Sequence, residues 1–279
     1  MNNNFNIGVF DSGVGGTTVL KEIINALPNE NILYYGDNGN APYGERTLED
    51  IQRLCLKIME FFKVNNCKAV VIACNTATAA SLEIINEKYN IPVIGVINPG
   101  AKSAIKASKS RNIGVLSTPF TAKSNAYANA IKKLDDSITV YQEGCSELCP
   151  MIENSWETYE NREEILKNHI STFPETVDTV VLGCTHYPII REDIAKLFTK
   201  TIVDPAKETA IELQKTLEKL NLLNSSTEKG KIDFFVSGEI EVRLPWRTGR
   251  PVLCSLWLLR HINHIKCSYE CKHSTYMLT

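Results

Sequence analysis

Ala69-Val70-Val71-Ile72-Ala73-Cys74-Asn75-Thr76-Ala77-Thr78 is an apolar, β-branched run that stops at a cysteine followed by amide and hydroxyl side chains. Thr179-Val180-Val181-Leu182-Gly183-Cys184-Thr185-His186-Tyr187-Pro188 repeats the pattern 110 positions later. A short apolar run without alternation reads as a strand buried on both faces, the usual strand of a parallel sheet. Each cysteine then sits where a strand gives way to a helix, the edge at which open α/β sheets bind ligands. Buried cysteine alone is an ordinary small core residue. Two in matching contexts predict a repeated fold that presents two thiols to one cleft.

Outward from these stretches, Ile7-Gly8-Val9-Phe10-Asp11-Ser12-Gly13-Val14-Gly15-Gly16 reads as strand, glycine-rich turn and helix to about Ala26. Gly13-x-Gly15-Gly16 lacks the spacing of a dinucleotide fingerprint, although such a turn could cradle a phosphate. Ile32 to Asp37 is a second strand, and the loop Asn38-Gly39-Asn40-Ala41-Pro42-Tyr43-Gly44 has the composition of a functional surface loop. A helix from about Thr47 to Asn65 precedes the Cys74 strand, and a helix to about Tyr89 follows it. Ile91 to Val96 closes the series, with Asn98-Pro99-Gly100 as a break.

The series then restarts. Ile113 to Thr118 aligns with Ile7 to Ser12, Ile138 to Glu143 with the Tyr34 strand, Cys184 with Cys74, and Thr201 to Ala206 with the stretch ending at Pro99. Four correspondences in one order, at offsets near 106 to 110, imply an internal duplication. The expected fold is α/β: two similar parallel-sheet domains related by a pseudo-two-fold, with the site between them. The expected division is 1–97 with 207–241 as the first domain, 98–206 as the second, and 242–279 as an atypical tail. A helix from about Lys207 to Leu222 and a strand over Asp233 to Glu239 would complete the first.

Composition bounds the function. The 279 residues are 43% hydrophobic and 22% charged, with a formal net charge of −2. That charge gives no electrostatic case for nucleic-acid or membrane binding. No apolar run approaches the roughly 20 residues of a membrane span. Met1-Asn2-Asn3-Asn4 has no basic and apolar signal pattern, so nine scattered cysteines are expected as reduced thiols in the cytoplasm.

Thiols at helix N-termini are expected to carry a raised thiolate fraction. With His186 as the one nearby imidazole, soft ligands are too few for a closed zinc site, and no metal is expected. Two thiols across a cleft suit removal of a proton from one face of a carbon and delivery to the other. That inverts a stereocentre.

Asp11-Ser12-Gly13-x-Gly15-Gly16, Pro42-Tyr43-Gly44, Cys74-Asn75-Thr76-Ala77-Thr78 and Gly183-Cys184-Thr185-His186-Tyr187-Pro188 resemble the signatures of the glutamate racemases, from about Ile7 to Glu241. The resemblance implies a cofactor-independent isomerase that makes D-glutamate for peptidoglycan. By the same resemblance Cys74 would work on the D face and Cys184 on the L face. Asp11 and His186 would assist them, with Glu153 as a further acidic group near the second. Asp11, Ser12, Tyr43, Gly44, Asn75, Thr76, Thr185 and His186 would hold the substrate. The four motifs contain no lysine, so no pyridoxal Schiff base is expected. Alternative roles are a helix cap for Asp11 or His186, a solvated helix residue for Glu153, and packing for Cys55, Cys67, Cys145 and Cys149.

Competing readings are a racemase of aspartate or a related amino acid, a non-catalytic inhibitory protein such as a restraint on DNA gyrase, and a poorly folded product. The sequence leaves monomer and homodimer open. The lack of a long N-terminal extension leads to an expectation of no activation by a cell-wall precursor. Residues 242–279 hold two of three tryptophans, three cysteines, three of five histidines and one acidic residue, Glu270. They show no sustained period. Two prolines and a glycine within 242–251 would interrupt the expected terminal helix. A shifted reading frame or divergence at about residue 242 would explain this. His261, His264, Cys267, Cys271 and His273 are too loosely spaced to argue for zinc.

Overall fold

Strands that are buried along their whole length need helices on both faces, and the chain supplies them in alternation. The computed structural model describes residues 3–238 and the backbone of 265–271 and 274–278. The first series is β1 (Ile7–Asp11), α1 (Thr17–Ala26), β2 (Ile32–Gly36), α2 (Leu48–Val64), β3 (Ala69–Ile72), α3 (Asn75–Lys88) and β4 (Val93–Gly95). The second is α4 (Ile97–Ala107), β5 (Asn112–Ser117), α5 (Pro119–Lys123), α6 (Ala126–Leu134), β6 (Thr139–Gly144), α7 (Leu148–Glu153), α8 (Arg162–Ser171), β7 (Thr179–Gly183), α9 (Arg191–Leu197) and β8 (Thr201–Val203). The chain continues through α10 (Ala206–Lys219), β9 (Ile232–Ser237), β10 (Ile265–Cys271) and β11 (Ser274–Leu278).

Two sheets result. In the first, β9-β2-β1-β3-β4 are all parallel; in the second, β6-β5-β7-β8 are all parallel. The order β2-β1-β3-β4 is repeated by β6-β5-β7-β8, so the two halves share a topology as well as motifs. β1, β2, β3 and β7 are buried at every residue, which is why their sequences are apolar without alternation. Val9, Leu20, Val71 and Leu213 pack on one face of the first sheet, and Phe10, Ile51, Met59 and Phe62 on the other.

Two expectations are corrected here. Asn98-Pro99-Gly100 does not break the chain: it lies in the first turn of α4. Proline is tolerated there because first-turn N–H groups have no intrahelical acceptor to lose. The tail also contains strands: β10 pairs in parallel with β9, and β11 pairs antiparallel with β10. The expected change of reading frame at 242 and the histidines and cysteines beyond it concern residues or side chains outside those described.

Val96 packs in the core of the first sheet and Ile97 in that of the second, while Val203 belongs to the second core and Ala206 to the first. The described chain therefore crosses between the halves at two points. These points adjoin: a Cβ on Gly100 would meet the Pro205 ring at 3.0 Å.

Candidate active site

The C-terminal ends of β1, β3, β5, β6 and β7 and the loop after β2 converge on one cleft of about 170 Å³. That lies below the roughly 300–1,000 Å³ typical of sites for drug-sized ligands and suits a molecule of amino-acid size. Ser12, Tyr43, Gly44, Cys74, Asn75, Thr76, Glu153, Cys184, Thr185 and His186 all line it. Of the residues expected to catalyse or to bind substrate, only Asp11 does not line the wall; it is fully buried. No lysine or arginine is among the lining residues.

Cys74 caps α3: its Sγ accepts the Ala77 N–H at 3.4 Å and lies 3.6 Å from Ser12 Oγ. Cys184 follows β7 and precedes a 3-10 turn (Tyr187–Ile190) rather than an α-helix. Its sulfur lies 3.6 Å from His186 Nδ1 and 3.2 Å from Cys149 Sγ. The opposite ring nitrogen of His186 is 2.9 Å from Glu153 Oε1, so the imidazole spans a thiol and a carboxylate. His186 makes no capping bond through its side chain.

The expected rise in thiolate fraction is reversed. Burial and the Asp11 charge push Cys74 from 9.0 up to about 12, against the lowering effects of the Ala77 N–H and Ser12. Cys149 and then burial raise Cys184 well above the usual thiol range. One helix N–H does not repay the lost hydration of a sulfur anion. For His186, burial favours the neutral ring, but hydrogen bonds to Cys184 and Glu153 outweigh it and raise the pKa. Burial likewise raises Asp11. Asp11 is no helix cap, since Gly16 occupies that position in α1. Its carboxylate accepts the Gly13 N–H at 3.0 Å and the Thr185 hydroxyl at 3.3 Å, joining the two halves.

The glycine turn is not a phosphate cradle. A Cβ on Gly15 would fall 2.5 Å from Thr185 Oγ1 and 2.7 Å from the His186 ring, so the turn is filled by the opposite half. Gly44 is similarly close to Thr118, and its carbonyl accepts the Phe120 N–H at 3.2 Å.

Several supporting residues were not apparent in the sequence. Asp37 is buried and accepts from Tyr43, Asn40 and Ser237, anchoring the 38–44 loop to β9. Thr76 Oγ1 meets Thr118 Oγ1 at 2.8 Å and Thr121 Oγ1 at 3.3 Å across the halves. The Tyr127 hydroxyl donates to Asn75 Oδ1. Cys145 and Cys149, expected as packing residues, both line the cleft, because the β6–α7 turn and the first turn of α7 face it. Cys149, Cys184 and His186 bring two sulfurs and a ring nitrogen within 4.8 Å of one another, three soft donors where a closed zinc site uses four. No helix among the described residues is long and apolar enough to cross a membrane.

Residues 7–213 match the Asp/Glu/Hydantoin racemase family. The chain is 52% identical over 234 residues to a glutamate racemase of Fusobacterium nucleatum, covering 84% of this chain and 89% of that protein. It is 42% identical over 234 residues to one from Geobacter metallireducens, covering 83% and 87%. A crystal structure of glutamate racemase from Francisella tularensis with D-glutamate superposes with a TM-score of 0.83 at 35% identity, covering 95% of this chain and 97% of that one. One from Bacillus anthracis gives 0.82 at 42% identity, covering 86% and 91%. Matching motifs, the repeated strand order and this likeness over most of each chain lead to one conclusion: the protein is a racemase-type isomerase and belongs to the Asp/Glu/Hydantoin racemase family.

Proposed function

We propose that this protein interconverts L- and D-glutamate by a cofactor-independent reaction with two thiol bases, and supplies D-glutamate for peptidoglycan in the cytoplasm. The observation that carries the reading is that Cys74 and Cys184 end equivalent strands of the two sheets and face one cleft. Each has its own proton-handling neighbours. Charge on Cys184 also disfavours charge on Cys74, so ionisation of both sulfurs at once is disfavoured and the reacting form has one thiolate and one thiol.

In that state one sulfur removes the Cα proton while the other delivers its proton to the opposite face. The sulfurs then exchange roles for the reverse direction. His186, held by Glu153, moves the proton of Cys184; Asp11 acts on Cys74 through its charge. Burial at Cys74, and Cys149 then burial at Cys184, raise the thiol pKa values, and a substrate ammonium would bring positive charge that favours a thiolate. Ser12, Tyr43, Asn75, Thr76 and Thr185 supply neutral hydrogen-bonding groups for the two carboxylates of glutamate. Preorganised donors of this kind stabilise charge that develops on the α-carboxylate as the proton leaves.

The test is racemisation of L-glutamate in D₂O with no added cofactor, followed by optical rotation and NMR. Deuterium should enter Cα of the product enantiomer, and Cys74→Ala and Cys184→Ala should each abolish turnover. Substantial racemisation by either variant would refute the two-base assignment. Preferred turnover of L-aspartate would move the substrate to that amino acid.

A further inference from the structure

The racemase mechanism has no use for Cys149, yet its sulfur is 3.2 Å from that of Cys184. A disulfide bond is about 2.05 Å long, so closure asks for a movement of little more than an ångström. The encounter is built in. Cys149 is in the second position of α7, Cys184 follows β7, and both pack in one core cluster with Leu148, Met151, Leu182 and Tyr187. Both thiols also line the cleft, and Cys149 is the less buried of the two. A small oxidant that enters by the substrate's route meets the pair. Cys55 and Cys67 are buried in the other half and do not line the cleft.

We propose that Cys149 and Cys184 are a peroxide-responsive pair, whose reversible disulfide switches racemisation off by occupying one of the two bases. The inhibitory consequence rests on the two-thiol reading above; formation of the bond does not. His186 Nδ1, 3.6 Å from Cys184, accepts the thiol proton. The Cys184 thiolate attacks one oxygen of hydrogen peroxide, and the O–O bond breaks. The sulfur becomes a sulfenic acid, and the departing hydroxide takes the proton held on His186 to leave as water. Cys149 sulfur then attacks the sulfenic sulfur: the S–S bond forms, the S–O bond breaks, and hydroxide leaves with the Cys149 proton as a second water. Two thiols and one peroxide thus give one disulfide and two waters. Cys149 acts as a resolving thiol, and it spares Cys184 from irreversible sulfinic acid.

The experiment treats the full-length protein with hydrogen peroxide, blocks the remaining thiols, and maps peptides by mass spectrometry alongside the racemase assay. A peptide joining Cys149 to Cys184 should accumulate in proportion to lost activity. Dithiothreitol should remove that peptide and restore turnover together. In Cys149→Ser no joined peptide should form, and excess peroxide should cause a loss that dithiothreitol does not repair. Loss of activity without the joined peptide, a Cys145–Cys184 link in its place, or equal recovery in Cys149→Ser would overturn the proposal. A protein that forms the link but never racemises glutamate would instead refute the glutamate racemase reading.

Discussion

The Tyr127 hydroxyl, on α6 of the second half, donates a 2.7 Å hydrogen bond to Asn75 Oδ1, on the first residue of the helix that Cys74 caps. Both side chains are buried, so Asn75 is oriented by a residue from the opposite sheet. Tyr127→Phe leaves that acceptor without its donor at almost unchanged volume. Stability should fall by about 1–3 kcal/mol, measured by urea unfolding. kcat/KM for glutamate should fall with it while the protein remains folded. An unchanged kcat/KM would remove Asn75 from the substrate-binding set.

Gly15 gives a sharper test of the contact between halves. An alanine methyl there would collide with Thr185 Oγ1 at 2.5 Å and with the His186 ring at 2.7 Å. The ring must move away from Cys184 or Glu153, and a displacement of about 1 Å at a reacting group costs on the order of 10²-fold in rate. Gly15→Ala should therefore show that loss in kcat with near-native circular dichroism. Full activity would mean that His186 need not hold its position.

The charge of Asp11 makes a pH-dependent prediction. A raised Cys74 pKa lowers the thiolate fraction near neutrality, so kcat/KM for the direction in which Cys74 is the base should climb with pH. Asp11 contributes to that rise by charge repulsion. Asp11→Asn keeps an acceptor for Thr185 and removes the charge, so the climb should move to lower pH. Profiles of kcat/KM for D-glutamate, the direction that the family resemblance gives to Cys74, will show the shift. A limb that stays in place would mean that the carboxyl carries no charge in the free enzyme.

Away from the cleft, Lys68 and Glu30 form an ion pair at 2.6 Å, with side chains 0% and 3% exposed. Glu30 also accepts the Asn224 N–H at 2.7 Å, tying the segment after α10 to the first sheet. Lys68→Met strands a buried carboxylate, at a cost of about 3–5 kcal/mol, a large part of a typical domain's stability of about 5–15 kcal/mol. Thermal unfolding should show a much lower Tm for this variant. A Tm close to wild type would mean that the carboxylate finds water or takes up a proton.

The ends of β3 and β7 were legible because burial on both faces leaves an uninterrupted apolar run, and the four motifs therefore marked most of the cleft wall. Residues that act across the halves were not. Thr118 and Thr121 meet Thr76 over separations of 42 and 45 positions, and no local period encodes such contacts. Cys149 read as packing because α7 is short and its neighbours are apolar. Pro99 read as a break because its place in a first helical turn depends on where the preceding strand stops. The thiol argument failed for a different reason: a helix terminus is visible in sequence, whereas the depth of burial that opposes it is not.

The two adjoining crossings at Val96–Ile97 and between Val203 and Ala206 bind the halves along one margin, as a spine binds two covers. The contacts between the covers are more polar: hydroxyls of Thr76, Thr118 and Thr121, the Gly44 carbonyl, and Thr185 on Asp11, with Phe120 and Ala79 adding apolar packing. Such bonds can be traded for water at small net cost, whereas parting the spine would expose apolar core. Separation at the fore-edge would therefore cost less than separation at the spine, and Cys74 and Cys184 lie one on each of the facing pages.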